Sequence, residues 1–206
     1  MNNADLRYRP VLAGISIVNA RIGEPGTLGY IAADGDGALW IVSAYHVLCG
    51  AALESYIADE AIYQPAAAAP ENRIAVTRAT RANAALDCAA ALLDLGITTV
   101  SYQIGIGASP APIEPVVGMR VIKAGAVSGI TEGIVQSVDG DTVRIAADPA
   151  FPADYVLSEP GDSGALWVEQ QSRAPVALHL GRSSSRRAEG LSFRAVLAAL
   201  QLQSIA

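Results

Sequence analysis

Residues 159–167, Glu-Pro-Gly-Asp-Ser-Gly-Ala-Leu-Trp, have the composition of a nucleophile on a tight turn before a buried strand. Ser163 stands beside an aspartate, between small residues, and just ahead of an apolar run. Because glycine tolerates backbone conformations closed to other residues, Gly161 would let its own amide and that of Ser163 point at one spot and bind a developing oxyanion. Glycine, aspartate and serine are also ordinary turn residues, so a plain strand-entry turn is the alternative for this stretch taken alone.

The chain also contains the base and the carboxylate that such a serine would need. A hydroxyl nucleophile is weak until a neighbouring histidine takes its proton, and that histidine needs a carboxylate to hold it. His46, one of two histidines in the chain, lies near the end of an apolar, strand-like run. Asp59 and Asp94 are competing carboxylates, but only Asp87 immediately precedes an uncharged apolar segment. The order along the chain is therefore His46, Asp87, Ser163.

On these motifs the sequence resembles the trypsin-like, chymotrypsin-fold serine peptidases. Residues 43–46, Ser-Ala-Tyr-His, stand where that family usually has Thr-Ala-Ala-His, and residues 87–90, Asp-Cys-Ala-Ala, stand where it has Asp-Ile-Ala-Leu. Residues 161–164 match its Gly-Asp-Ser-Gly directly. Residues 26–29 and 176–181 look like further landmarks, closer to the compact bacterial members. Each match is short, but several in the right order make the resemblance specific.

The resemblance implies an all-β fold of two six-stranded antiparallel β-barrels with the active site between them, whereas the strand pattern alone supports only an all-β class. It implies a serine endopeptidase in which His46 takes the proton of Ser163, Asp87 holds the imidazole, and the amides of Gly161 and Ser163 bind the oxyanion of an acyl-transfer reaction. Neither a metal nor an organic cofactor is expected, and the substrate is a protein or peptide. A catalytically silent or latent peptide-binding module and an esterase are the alternatives.

The resemblance also places a primary specificity pocket. Leu157 and Ser158 would form its wall and base, with His179 and Arg182 on the opposite rim. Cleavage after lysine or arginine is disfavoured, because it would need an aspartate in place of Leu157. Ser158 with His179 is similar to the pair that glutamyl endopeptidases use to bind an acidic side chain, and Arg182 would add charge. The alternatives are a small apolar pocket against Leu157, and a His179 that is merely a strand residue bonded to backbone.

Two departures from the family pattern leave questions open. In the family, the residue at Asp162 turns away and pairs with a new amino terminus made by zymogen cleavage, but no Arg-Ile-Val-Gly type of activation sequence stands near the start. Constitutive activity and triggering by a regulatory protein partner are both compatible with that. Leu180 stands where many members have a serine that supports the catalytic aspartate. Asp87 therefore needs other donors, and we expect backbone amides near His46 to provide them.

The elements that must position these residues are short apolar runs separated by turn signals, which predict a barrel or sandwich. Asp-Gly-Asp-Gly at residues 34–37 predicts a hairpin turn. Residues 105–117, rich in glycine and proline, predict a link without strand structure. We therefore expect an N-terminal barrel over 1–104 with His46 and Asp87, and a C-terminal barrel over 118–206 with Ser163. Apolar residues at helical spacing in 193–202 predict a closing amphipathic helix.

Composition bounds the remaining choices. The 206 residues are 51% hydrophobic, enough for a sizeable core, and the formal net charge is −6, which argues against nucleic-acid or anionic-membrane binding. Residues 1–10 have no apolar segment typical of a secretion signal, and no run is long enough to span a membrane, so a cytoplasmic location is expected. Cys49 and Cys88 flank the predicted catalytic residues. Two buried free thiols are favoured over a disulfide or redox pair.

Overall fold

Two β-sheet assemblies, one from each half of the chain, account for most of the fold. The computed structural model describes residues 5–50, 57–65 and 69–205. The strands of the first half are β1 (Val11–Ala13), β2 (Ser16–Asn19), β3 (Gly26–Thr27), β4 (Tyr30–Ala33), β5 (Leu39–Ala44), β6 (Ala61–Tyr63), β7 (Arg73–Asn83), β8 (Cys88–Leu93), β9 (Thr99–Gln103) and β10 (Gly107–Ala108). Those of the second half are β11 (Arg120–Gly125), β12 (Gly129–Asp139), β13 (Thr142–Ala146), β14 (Leu166–Glu169), β15 (Pro175–Ser184), β16 (Arg187–Ser192) and β17 (Gln203–Ser204). Helix α1 (Tyr45–Leu48) follows β5, helix α2 (Phe193–Leu200) follows β16, and a 3₁₀ turn spans Pro70–Asn72.

The second half forms a closed six-stranded barrel, as predicted. Its strands lie in the order β11-β12-β13-β16-β15-β14, and β14 pairs back onto β11 so that the sheet closes on itself. In β13 the buried Val143 and Ile145 alternate with the exposed Arg144, which is the period of two that a barrel wall requires. Fully buried side chains, Leu157 and Trp167 among them, fill the interior.

The first half is a half-barrel sheet accompanied by a small second sheet, which refines the expected six-stranded barrel. Eight strands lie in the order β17-β4-β5-β8-β7-β6-β2-β3, while β1, β9 and β10 form a three-stranded sheet in which β1 runs parallel to β9. The outer edge of β4 is occupied by β17 from the C-terminal end, with Gln203 opposite Ala33. Strand β10 lies within 105–117, where the sequence predicted none, because a strand of two residues is too short to show a period.

Helix α2 confirms the predicted closing helix and packs across both halves. Its buried residues recur three or four positions apart along one face: Phe193, Val196, Leu197 and Leu200. Phe193 meets Tyr30 of the first half edge to face, with ring centroids 5.0 Å apart. The helix ends at Leu200, two residues before the end that the sequence predicts. Its C-cap residue, Gln201, has a φ of +52°, in the left-handed region that commonly terminates helices.

The predicted hairpin turn at residues 34–37 connects β4 and β5. The carboxylate of Asp34 accepts hydrogen bonds from the backbone N–H groups of Asp36 and Ala38 at 3.0 and 2.9 Å. It also accepts one from the indole N–H of Trp40 at 2.9 Å. Gly37 has a φ of +83°, which the sharp reversal requires. The chain's own donors therefore engage this carboxylate, which fits a structural turn.

Cys49 and Cys88 are buried free thiols, as favoured from the sequence, and burial raises the pKa of each to about 12. Neither helix within the described ranges has the length and apolarity to cross a membrane. Over the same residues, no group of three or more His, Cys, Asp or Glu side chains is placed to hold a metal ion. Residues 1–4 of the segment considered for a secretion signal lie outside the described residues.

Candidate active site

Strands β5 and β8 bring His46 and Asp87 to one end of the first sheet. The two strands pair antiparallel with Ala44 opposite Cys88, so the residues after β5 and before β8 are neighbours. The backbone N–H of Tyr45, the first residue of α1, donates to the carbonyl of Asp87 at 3.0 Å. Asp87 has a φ of +51°, so the turn before β8 holds it in the left-handed region.

The carboxylate of Asp87 binds both the ring and the backbone of His46. The His46 Nδ1 atom lies 2.8 Å from Asp87 Oδ2 and 3.0 Å from Oδ1, and the His46 backbone N–H donates to Oδ1 at 3.0 Å. Because an ionised carboxylate only accepts hydrogen bonds, Nδ1 carries the proton and Nε2 of the neutral ring is left as an acceptor. The expectation of a backbone donor to Asp87 near His46 is confirmed by the His46 amide. We expected such a donor because Leu180 stands where many members of the family have a serine. Both side chains are about one-third exposed, 36% and 33%.

Ser163 lies on a turn that is pressed against the first half. Gly161 and Gly164 on either side of Asp162-Ser163 have φ values of +99° and +88°, which favour glycine. The carbonyl of Ser163 accepts a hydrogen bond from the backbone N–H of Thr27 at 2.8 Å. Any side chain at position 164 would overlap Ser43 Oγ and the carbonyl of Thr27. Ser43 is three residues before His46, so the turn is held close to the histidine.

Leu180 lies beside Ser163 and lines a cavity together with Asp87. The Ser163 hydroxyl donates to the carbonyl of Leu180 at 3.1 Å. Leu180 and Asp87 line one cavity of about 150 Å³. Leu180 thus contacts Ser163 and lines the same cavity as Asp87, which in turn binds His46. In this rotamer the hydroxyl proton of Ser163 is directed to a carbonyl oxygen.

Asp162 has a buried lysine as its counter-ion, which answers the question that the sequence left open. Lys123 Nζ lies 2.8 Å from Asp162 Oδ2, and both side chains are 0% exposed. The other carboxylate oxygen accepts from the backbone N–H groups of Val127 and Ser128 at 3.2 and 3.0 Å. The backbone N–H of Glu159 donates to Oδ2 at 3.0 Å. A side chain therefore fills the place that a cleaved amino terminus fills in the family pattern.

Opposing influences act on this ion pair. Burial by itself would raise the pKa of Asp162, but the charge of Lys123 and hydrogen bonds from Lys123 and Ser128 outweigh it and hold the pKa well below its ordinary value. Burial lowers the pKa of Lys123, and the Asp162 charge opposes that change. Sequence reasoning missed Lys123. The available signal was a lysine between the apolar residues Ile122 and Ala124 of β11, since buried charges are almost always paired.

His179 is buried within a chain of hydrogen bonds. Its Nδ1 accepts from the indole N–H of Trp167 at 3.4 Å, a donor that the sequence did not suggest. Since the indole can only donate, the neutral ring carries its proton on Nε2, which donates to Ser158 Oγ at 2.7 Å. The Ser158 hydroxyl in turn donates to Asp162 Oδ2 at 3.3 Å. Burial, reinforced by the charge of Lys123, lowers the pKa of His179 to about 3, so the ring is neutral near pH 7.

Leu157 and Arg182, the other two predicted pocket residues, have contrasting surroundings. Leu157 is 0% exposed and belongs to the core of the second barrel. Arg182 is partly exposed and reaches across to the segment before the Ser163 turn. Its Nη1 donates to the carbonyl of Ser158 at 3.1 Å and lies 3.2 Å from Glu159 Oε2. Sequence reasoning did not single out Glu159.

The half-barrel, the closed six-stranded barrel and the C-terminal helix together make the chymotrypsin fold. A Nocardiopsis protease superposes with a TM-score of 0.70 at 15% identity, over 94% of this chain and 99% of that one. An alpha-lytic protease homologue gives 0.68 at 20% identity over 93% and 97%. A structure described as a glutamic acid specific serine protease that uses a histidine triad in substrate binding gives 0.66 at 19% identity over 95% and 100%. No protein-family model and no curated protein matches the sequence.

Proposed function

We propose that this chain is a serine endopeptidase that cleaves peptide bonds with His46, Asp87 and Ser163. The observation that carries the proposal is the contact of His46 Nδ1 with Asp87 at 2.8 Å. That contact leaves Nε2 of His46 as the proton acceptor that the serine needs. Ser163, on a glycine-flanked turn, bonds to Leu180, which lines the same cavity as Asp87. The solved structures that share this fold at high coverage are serine proteases, which supports the same class of chemistry.

In the proposed reaction, Ser163 Oγ attacks the carbonyl carbon of the scissile peptide as Nε2 of His46 takes its proton. Asp87 stabilises the imidazolium that forms and keeps it oriented. The imidazolium then gives its proton to the leaving amine, the carbon–nitrogen bond breaks, and an acyl-enzyme remains. Water, deprotonated by the same histidine, attacks the ester and releases the acid. The amides of Gly161 and Ser163 bind the oxyanion at both stages, each donor contributing a factor of about 10² to 10³ in rate.

A change of rotamer at Ser163 precedes this chemistry. The hydroxyl must leave the carbonyl of Leu180, which it meets at 3.1 Å, and turn to Nε2 of His46. Side chains move readily among staggered rotamers, and catalytic hydrogen bonds often tighten only when substrate is present. The same contact favours the second candidate function, a latent or catalytically silent peptide-binding module in which Ser163 stays on Leu180. A regulatory protein partner would then be needed to release it.

For primary specificity, we infer an acidic side chain before the scissile bond rather than a small apolar one. Leu157 is enclosed in the barrel core, which argues against its lining an open apolar pocket. Arg182 supplies a partly exposed positive charge beside Ser158. The glutamic acid specific neighbour is described as using three histidines, whereas this chain has two in all, and His46 is committed to the proposed triad. Acidic recognition here would therefore depend on other groups.

Labelling with a fluorophosphonate probe tests the catalytic proposal directly. The probe forms a bond from Ser163 Oγ to phosphorus with loss of fluoride, and it needs the same activated hydroxyl as peptide cleavage. We expect wild-type protein to label, Ser163→Ala to give background, and His46→Ala to react about 100-fold more slowly or less. Ser184→Ala, which removes an exposed hydroxyl from the end of β15, is the matched control and should label like wild type.

Folded wild-type protein that does not label would reject constitutive catalysis and leave the latent module. Labelling that persists in Ser163→Ala would show that another residue is the nucleophile. Circular dichroism of each variant separates these results from a loss of fold.

A further inference from the structure

By the family resemblance, the side chain before the scissile bond would lie beside Ser163, between two segments. One is residues 157–160, just before the Ser163 turn, and the other is the outer part of β15 from Leu180 to Arg182. The Ser163 hydroxyl donates to the carbonyl of Leu180 at 3.1 Å, so the first residue of the second segment contacts the proposed nucleophile. A Cβ placed at Gly181 would meet no atom within 4 Å, which shows that this face of the segment is open.

Arg182 connects the two segments. Its guanidinium donates to the carbonyl of Ser158 at 3.1 Å and forms an ion pair with Glu159 at 3.2 Å. The side chains of Arg182 and Glu159 are 36% and 37% exposed, so solvent and ligands can reach both. Such partly exposed ion pairs are weak, because water competes with each partner. A second carboxylate could therefore replace Glu159 without unfolding any element.

The polar groups behind Arg182 are already engaged. His179 and Ser158 are each 1% exposed, and they bond to each other at 2.7 Å. Beyond them lies the Asp162 carboxylate, which would repel an incoming anion. Lys123 is fully buried and paired with that carboxylate. Of the two other arginines of the same hairpin, Arg186 is held by the carbonyls of Pro152 and Asp148, and Arg187 lies at the start of β16.

From these contacts we propose that Arg182 binds the acidic side chain that precedes the scissile bond, and that Glu159 occupies Arg182 in the free protein as an internal substitute for that side chain. This inference rests on the proposed endopeptidase function and names its substrate class. A glutamate of the substrate displaces Glu159 and takes over the guanidinium. His179 and Ser158 support the floor of the pocket and do not touch the substrate carboxylate. Recognition of the acidic side chain and its internal replacement by Glu159 then both depend on Arg182.

Peptide binding to the Ser163→Ala variant tests this recognition without requiring catalysis. Two N-acetylated tetrapeptides, Ala-Ala-Pro-Glu and Ala-Ala-Pro-Gln, differ only in the charge of the last side chain and would be compared by isothermal titration calorimetry. We expect the glutamate peptide to bind at least tenfold more tightly, because a charge-assisted pair with Arg182 replaces a neutral contact. Adding Arg182→Gln should abolish the preference. Adding Glu159→Gln should strengthen binding of the glutamate peptide several-fold and leave the glutamine peptide unchanged.

Arg187→Gln is the matched control, because it removes an exposed charge from the same hairpin and should leave the preference intact. Equal affinity for the two peptides, no binding of either, or a preference that survives Arg182→Gln would overturn the proposal. Arg182→Lys, which keeps the charge, guards against a folding defect and should retain part of the preference. Fluorophosphonate labelling of the wild type reports separately on catalysis, so failure of recognition and failure of the endopeptidase function give different results.

Discussion

The two histidines of the chain have opposite surroundings. His46 is about one-third exposed, with its Nδ1 on Asp87 and its Nε2 available as an acceptor. His179 is buried, with both nitrogens engaged by Trp167 and Ser158. The same side chain is therefore partly exposed with an accepting nitrogen in one place, as the proposed proton transfer requires, and enclosed with both nitrogens engaged in the other. The alternative of a satisfied strand histidine describes the contacts of His179, except that side chains rather than backbone satisfy it.

The burial of His179 should make stability depend on pH. Its pKa is lowered from 6.5 to about 3 by burial and by Lys123, with His46 adding a small effect and Asp162 opposing it. Below pH 6.5 the His179 ring takes up a proton in the unfolded chain, but in the folded chain it stays neutral until about pH 3. The contribution of the neutral ring to the free energy of unfolding is therefore complete above pH 6.5 and falls as the pH drops. Between pH 7 and 4.5 the loss should reach about 2 to 3 kcal/mol.

Urea denaturation of wild type and His179→Gln at both pH values measures this effect. Glutamine can still accept from Trp167 and donate to Ser158, but it does not titrate. Between pH 7 and pH 4.5, the free energy of unfolding of the wild type should therefore fall by that amount relative to that of the variant. Parallel pH dependence in the two proteins would show that His179 protonates freely in the folded state.

At the level of elements, local signals mark His46, Asp87 and Ser163 as residues beside apolar runs, whereas only the family resemblance predicts that they share one site. An apolar run bounded by turn residues predicts a strand and the position of its end. Lys123 and Asp162 are 39 residues apart, and their pairing depends on which strands become neighbours in the closed barrel. A single sequence carries no direct record of such long-range neighbours. The pairing of β17 with β4 escaped prediction for the same reason.

The turn that carries Ser163 should be sensitive to a single methyl group. Gly164 combines a φ of +88° with close approach to Ser43 and Thr27, so Gly164→Ala adds backbone strain and a steric overlap. We expect a loss of about 2 to 4 kcal/mol in stability, together with loss of probe labelling. Gly35→Ala is the control, because no atom lies within 4 Å of its Cβ and its φ is not positive. That change should stay within about 0.5 kcal/mol, and equal losses in the two variants would contradict the steric argument.

Over the whole molecule, one hydrophobic cluster joins the two halves. It contains buried residues of β4, β5 and β8 from the first half, and of β14, β15 and α2 from the second. Phe193 of α2 is fully buried there against Tyr30. Strand β17 adds a backbone connection from the C-terminal end to the first sheet. A break between the halves would expose the core of both.

The shared cluster predicts one cooperative unfolding transition. In scanning calorimetry the calorimetric and van't Hoff enthalpies should agree, which is the test of two-state behaviour. Phe193→Ala should lower the free energy of unfolding by about 3 to 5 kcal/mol, because it leaves a cavity in the cluster that the two halves share. The single transition should remain. Two resolved transitions in the wild-type protein would mean that the barrels unfold independently.

The Lys123–Asp162 pair also makes the shape of the Ser163 turn a product of the chain's own folding. A counter-ion carried on β11 reaches Asp162 as soon as the second barrel closes, since both residues belong to that half of the chain. No cut by another enzyme is required to supply it. The formation of the turn is thus a part of folding itself, and it is complete only when both halves have come together, because Thr27 and Ser43 of the first half also hold the turn.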